Sequence, residues 1–329
     1  MIASQGGKPR VVAQTGMKAK PFLKWVGGKG QLLSQFENYF PHALRTGRIQ
    51  TYCEPFLGGG AVFFHVAQHY AIERAYLSDI NPDLILTYRV VQKRPQDLLE
   101  CLQEYQHLYD NTPVEERHTL FLAIREQFNA ERCTVDYQTI SENGVSRAAQ
   151  LIFLNKTCFN GLYRTNARGE FNVPFGKYPS PTICDTSTIC AASQLLQRAE
   201  ISQGTYDNCW DKVDTNTFVY FDPPYRPLNQ TSRFTTYTGN EFGEQDQIRL
   251  AEFFGQLDRQ RGGKLMLSNS DPKNTDPNDA FFETHFAGHT IHRVSANRAV
   301  NCKGEKRGTI HEIVVTNYAY EPQTLAFDF

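Results

Sequence analysis

The sequence predicts a doubly wound α/β sheet that ends in an antiparallel strand pair and carries a mainly helical inserted module. Three observations lead there. Residues 52–79 run as a short apolar segment, a glycine cluster, the helix-like stretch AVFFHVAQHY and a second apolar segment, AYLSDI, closed by an acid. That order is the β-turn-α-β opening of a doubly wound domain. Residues 217–225, TFVYFDPPY, read as a strand running into a rigid turn. GHTIHRVSA at 288–296 and TIHEIVVTNY at 309–318 have the pattern of a final antiparallel pair joined by a polar, basic loop.

The elements between these landmarks follow in order. Residues 1–20 are polar and basic and read as a flexible tail. Residues 83–155 show helical spacing in DLILTYRVVQ, PQDLLECLQEYQHLY, EERHTLFLAIREQFNA and RAAQLIFLNK, with no strand pattern between them. From 156 to 185 the chain turns to Gly, Asn, Pro and aromatics. A helix then fits CAASQLLQRA, and α/β character returns after it. GEQDQIRLAEFFGQLDRQRG is an amphipathic helix with a glycine stop, and KLMLSNS a buried strand. The expected division is a tail at 1–20, a sheet domain formed by 21–82 and 206–329, and an inserted module at 83–205 containing a hairpin at 157–178; the insertion has the size of a small domain.

Composition narrows the classes. With 40% hydrophobic and 21% charged residues the chain is not globally disordered. No apolar run approaches the ~18 residues of a membrane helix. The first residues lack the apolar core of a signal peptide, so the expected place is the cytoplasm. The eight cysteines form no Cys-x-x-Cys pair, which excludes a zinc ribbon and a thioredoxin motif, and they read as reduced thiols. Net charge is −1, yet the basic residues are segregated. Lys8, Arg10, Lys18, Lys20, Lys24 and Lys29 stand without an acid in 1–30. Lys156, Arg164, Arg168 and Lys177 face only Glu170 in 155–178, and Arg293, Arg298, Lys303, Lys306 and Arg307 face only Glu305 in 293–307. Such segregation suits either one basic face that binds nucleic acid or a set of solvated loops.

Two motifs carry chemistry. In Glu54-Pro55-Phe56-Leu57-Gly58-Gly59-Gly60 the glycines let backbone N–H groups approach a ligand closely, or simply make a tight turn. The dinucleotide fingerprint fails because Phe63 occupies its third glycine position, and a Walker A loop fails because Gly30 follows Gly28-Lys29. Asp79 sits where a carboxylate accepts the hydroxyls of a ribose; the competing role is a helix cap, since Asn81-Pro82 follows. The second motif is Asp222-Pro223-Pro224-Tyr225 after an apolar strand. Two prolines fix the chain and offer carbonyls without N–H groups, so the corner is made of acceptors beside an aromatic ring. Asp222 and the Pro223 carbonyl each suit one hydrogen of an exocyclic amine, and Tyr225 suits the face of its ring.

These residues, together with Phe22-Leu23-Lys24-Trp25-Val26-Gly27-Gly28-Lys29, resemble the Dam-type (D12 class, group alpha) S-adenosylmethionine-dependent DNA N6-adenine methyltransferases. The likeness runs from about 22 to 318 in the family's order of motifs. Its longest stretch, NGLYRTNARGEFNVPFGKY at 160–178, is similar to the target-recognition hairpin of enzymes that methylate adenine in GATC. The resemblance implies a Rossmann-like methyltransferase sheet with an inserted, mainly helical target-recognition domain. It implies S-adenosylmethionine as cofactor, held by Trp25, Lys29, Glu54, Phe56, Gly58, Gly60, Asp79 and Asp222. It makes Asp222, Pro223, Pro224 and Tyr225 the catalytic corner, and Lys24, Asn160, Leu162, Arg164, Pro174 and Tyr178 the DNA contacts. Lys24 and Arg164 would read guanine edges, whose O6 and N7 match their donors, although phosphate contact is the other use of an arginine there. The implied partner is double-stranded DNA, met by a monomer without a metal, on nucleoid DNA in the cytoplasm; a companion restriction endonuclease stays undetermined. The chain departs from the pattern in its tail before Lys20 and in a somewhat long insertion. The rival readings are another amine target, such as cytosine N4 or a different adenine site, and a noncatalytic DNA-binding relative.

Overall fold

The computed structural model describes residues 18–226, 242–296 and 310–320. Most of the basic tail, the polar loop around Asn297–Lys306 and Cys302 lie outside the described residues. The seven described cysteines are free thiols. No helix among the described residues is long and apolar enough to cross a membrane.

Seven strands form one sheet: β1 (Thr51–Glu54), β2 (Arg74–Asp79), β3 (Ala199–Gln203), β4 (Thr217–Phe221), β5 (Lys264–Ser270), β6 (Thr290–Ala296) and β7 (Ile310–Thr316). Their order is β3-β2-β1-β4-β5-β7-β6. The first five run parallel, and β7 pairs antiparallel with both β5 and β6. The terminal antiparallel pair expected from the sequence is therefore present. β4, TFVYF, is buried at every position, as a central parallel strand covered on both faces must be. Its side chains alternate between two cores: Phe218 and Tyr220 join the larger one, Val219 and Phe221 the smaller one under α9 (Glu244–Arg261). Gly262, at φ 70°, stops α9 in the left-handed conformation.

Short helices α1 (Leu33–Phe36) and α2 (His42–Arg45) precede β1, and α3 (Ala61–His69) links β1 to β2. The chain then makes α4 (Pro82–Lys93), α5 (Pro95–Asn111), α6 (Arg117–Glu131) and α7 (Glu142–Thr157) before α8 (Thr186–Leu196) leads into β3. Asn81 caps α4 by accepting the Leu84 N–H at 3.0 Å, with Pro82 in the first turn. Ser141 caps α7 in the same way. α7 is buried nearly all round, because α4, α5 and α6 all pack on it.

The sheet reaches into the stretch 83–205 that the sequence reading assigned to the insertion. Residues 199–203 are the edge strand β3, paired with β2, and the helix read as CAASQLLQRA ends at Leu196. The reason is physical. AEISQ is an edge strand that buries only Ile201, so it lacks the apolar alternation by which strands are read. Gln92 of α4 holds the turn, donating to the carbonyls of Leu196 and Ala199 at 2.6 and 2.7 Å. The remaining short helix, α10 (Phe281–His285), lies beside α9.

A buried ion pair joins the inserted helices to the start of α4. Arg147 of α7 meets Asp83 through Nε at 2.6 Å and Nη2 at 3.2 Å, and both side chains are buried. Tyr137 and Tyr163 add hydroxyl bonds to the same carboxylate at 2.9 and 3.1 Å, and Arg147 Nη1 donates to the Phe128 carbonyl. Replacing Arg147 by Ala strands a buried carboxylate. Urea unfolding of Arg147→Ala is expected to show a loss of about 3–5 kcal/mol.

Candidate active site

In a doubly wound sheet ligands bind at the carboxyl ends of the strands, where the order reverses. β2, β1 and β4 lie side by side there, and their ends carry Asp79, Glu54 and Asp222. Three acids far apart in sequence thus come from neighbouring parallel strands onto one rim.

The loop after β1 is tight for steric reasons. Gly58 has φ 48° and Gly60 φ 67°. A Cβ on Gly58 would stand 2.9 Å from Trp25 Cδ1, and one on Gly60 would stand 2.6 Å from the Tyr88 hydroxyl. Trp25 therefore lies directly on the glycine loop; its other neighbour is Tyr163, stacked with centroids 5.2 Å apart. Asp79 accepts the Gly58 N–H and the Asn81 N–H, both at 3.0 Å. It thereby fixes the loop, while Asn81 and not Asp79 caps α4. Glu54 is fully enclosed and takes the Tyr52 hydroxyl at 2.8 Å. Burial pushes its carboxyl well above the usual range, and the tyrosine bond pulls it back only in part. Phe56 stacks on Tyr206 and meets Phe242 edge-on.

Lys29 is the centre of the second motif. Its side chain is 3% exposed, which removes the reading of it as a solvated lysine. The ammonium reaches Asp222 Oδ1 at 2.8 Å, the Tyr225 hydroxyl at 2.8 Å and the Gly27 carbonyl at 3.2 Å. Its three hydrogens are all used. Burial alone would lower its pKa, but Asp222, Tyr225 and Glu312 outweigh that and hold it above an ordinary lysine. Burial likewise pushes the Asp222 carboxyl up, and Lys29 and Ser268 draw it back. Ser268 Oγ donates to Asp222 Oδ1 at 3.1 Å, so both bonds fall on Oδ1. Oδ2 takes none among the described residues.

The two prolines differ in the same useful way. The Pro224 carbonyl is tied down by Gln247 Nε2 at 2.7 Å, while the Pro223 carbonyl takes no bond among the described residues. Tyr225 is 38% exposed and presents its ring at the mouth of the corner. The corner thus holds a carboxylate oxygen and a carbonyl without hydrogen-bond partners among the described residues, beside a partly exposed ring.

The hairpin that follows α7 packs against the Lys24-Trp25 segment. Bridges Cys158↔Phe175 and Thr165↔Phe171 define it. Asn155, in the last turn of α7, accepts the Lys24 N–H and donates to the carbonyls of Lys24 and Gly161, each at 2.9 Å. The Lys24 chain crosses Gly161 so closely that a Cβ there would lie 2.4 Å from Lys24 Cδ, and its ammonium lies 5.3 Å from the Tyr178 ring centroid. Tyr178 donates nothing to Asn160 but accepts its N–H at 3.0 Å. Arg164 is braced by Asn172 through Nε and Nη2 at 2.7 and 3.2 Å. Leu162 is half-buried, and Pro174 and Asn160 are exposed. The structure thus brings Lys24 of the N-terminal segment against the hairpin that carries Asn160, Arg164 and Tyr178. Sequence reasoning missed Glu312, Ser268, Gln247 and Asn155, which no motif marks, and Phe159, an exposed aromatic at the hairpin's head.

The sheet order, with its reversed final strand, and the acid-tipped turn after β4 define a methyltransferase of the Rossmann-like class. Comparison with known proteins names the family. The model of the D12 class N6 adenine-specific DNA methyltransferases matches residues 25–300. A type II methyltransferase of Methanocaldococcus jannaschii, M.MjaIII, is 46% identical over 92% of this chain and 100% of its own length. The type II methyltransferase M1.LlaDCHI of Lactococcus lactis subsp. cremoris is 36% identical over 91% and 95%, and the DNA adenine methylase of Vibrio cholerae serotype O1 is 32% identical over 90% and 95%. The chain belongs to the D12 class of N6 adenine-specific DNA methyltransferases.

The packing of Trp25 on Gly58 has a measurable consequence. The two tryptophans are Trp25 and Trp210, so a Trp210→Phe background isolates Trp25. In it, Gly58→Ala is expected to shift the emission of Trp25 and to lower unfolding free energy by about 1–3 kcal/mol.

Proposed function

We propose that the chain transfers the methyl group of S-adenosylmethionine to the N6 of an adenine extruded from duplex DNA, in the site GATC. The observation that carries this reading is an Asp222 Oδ2 and a Pro223 carbonyl that both lack hydrogen-bond partners among the described residues, beside the exposed Tyr225 ring.

The rim fits the donor. Asp79 at the end of β2 suits ribose hydroxyls. The enclosed Glu54, reluctant to hold a lone charge, favours a cationic amino group beside it, and Trp25 and Phe56 wall the glycine loop. S-adenosylmethionine bound there supplies an electrophilic methyl on a sulfonium.

The chain's own residues do the rest. Adenine N6 is a weak nucleophile because its lone pair is delocalised into the ring. Asp222 Oδ2 and the Pro223 carbonyl accept hydrogen bonds from its two N–H groups, favour a more tetrahedral nitrogen and stabilise the positive charge that develops there as the methyl leaves sulfur; N6 then releases one proton to water. Extrusion of the base costs a few kcal/mol; Tyr225 offsets part of it by stacking, worth about 1–3 kcal/mol. Phe159, 51% exposed at the hairpin's head, is placed to enter the stack that the base leaves, as apolar wedges do. Lys24 and Arg164 serve as guanine readers, with Leu162, Pro174 and Tyr178 against neighbouring bases and Asn160 near the gap. The GATC assignment rests on the likeness of 160–178 to the recognition hairpin of such enzymes. Methylation of one strand at a time needs no two-fold partner, and a monomer suffices.

The test is a plasmid incubated with enzyme and donor, then digested with nucleases that distinguish methylated from unmethylated GATC. Protection is expected, and Asp222→Ala is expected to abolish it while keeping a folded chain. Near-normal transfer of tritiated methyl by that variant would overturn the mechanism. Arg164→Ala is expected to weaken discrimination at one base pair by about 1–3 kcal/mol, read from rates on singly substituted sites.

A further inference from the structure

We infer that Glu312, on β7, is a positioning residue of the catalytic corner: its carboxylate holds the Tyr225 hydroxyl and shares the charge of Lys29, which leaves Asp222 a strong acceptor for the incoming amine. The inference deepens the proposed function and rests on it.

The donor arrangement around Lys29 carries the argument. Lys29 donates to the Tyr225 oxygen, so the tyrosine's own proton must go elsewhere, and it goes to Glu312 Oε1 at 2.6 Å. Glu312 is 8% exposed. Its second oxygen lies 3.7 Å from the Lys29 ammonium and takes no hydrogen bond among the described residues, because Gly27, Asp222 and Tyr225 already use the three ammonium hydrogens. That oxygen contributes charge and no bond. One cation thus stands between two carboxylates. Without Glu312 no second carboxylate would oppose the pull of Lys29 on Asp222, and the Tyr225 proton would lose its acceptor. The charged and titratable groups facing Asp222 are Lys29 from the N-terminal segment, Tyr225 from its own turn, Tyr220 of β4, Glu54 of β1 and Glu312 of β7.

Glu312→Gln tests this, since the amide keeps an acceptor for the Tyr225 hydroxyl and removes the charge. Expected are an unchanged thermal midpoint, donor and DNA Kd values within about twofold, unchanged fluorescence of 2-aminopurine placed at the target adenine, and a single-turnover rate lower by about tenfold. The acid limb of the rate–pH profile should move to lower pH: removing a neighbouring negative charge makes the Asp222 carboxyl easier to ionise. A wild-type rate with an unmoved acid limb would overturn the inference, and so would a lowered thermal midpoint with parallel loss of binding, which marks a merely structural role. A wild-type enzyme that binds no donor and methylates no adenine would instead overturn the proposed function, whatever Glu312 does.

Discussion

One buried ammonium organises the corner that follows β4. Lys29 enters from the segment before β1, yet its partners are a carbonyl of its own loop, the acid after β4 and a tyrosine that is itself tied to β7. An unpaired ammonium in such a place would be expelled or neutralised. The three partners therefore hold the ammonium jointly. The distribution of bonds matters as much as their number. Everything that Lys29 and Ser268 give to Asp222 goes to one oxygen, and the other takes no hydrogen bond among the described residues.

The helices between β2 and β3 are anchored by a different pair. Asp83 and Arg147 link the start of α4, just beyond Asp79, to the middle of α7, and Tyr163 brings the hairpin to the same carboxylate. The Tyr163 ring then stacks on Trp25, which lies on Gly58. The glycine loop and the hairpin after α7 consequently share one wall, and a shift in either is felt by the other through packed rings.

Much of this was legible in the residues, and the pattern of what was not is informative. The glycine loop and the Asp-Pro-Pro-Tyr corner are contiguous in sequence, so their chemistry can be read locally; the family resemblance then supplied their order and the hairpin. The strands KLMLSNS and TFVYF declare themselves because both faces are covered. β3 stayed hidden because an edge strand of AEISQ carries almost no apolar signal. Glu312 follows His311 near the start of β7 and looks like an outward polar position; only the approach of Lys29 from 283 positions away, by the numbering of the two residues, makes it internal. Arg147 and Asp83 fit the polar stripes of their helices equally well, and nothing local shows that each faces the other. Contacts between distant segments are what single-sequence pattern cannot express.

The place of β1 in the sheet has a consequence for synthesis. It ends at Glu54, but one of its two hydrogen-bonded neighbours, β4, begins only at Thr217. A chain emerging from the ribosome therefore holds an apolar, half-paired strand through the whole translation of α4 to α8. Closure across so long a loop is slow, and the bare edge is open to association with other nascent chains until it completes.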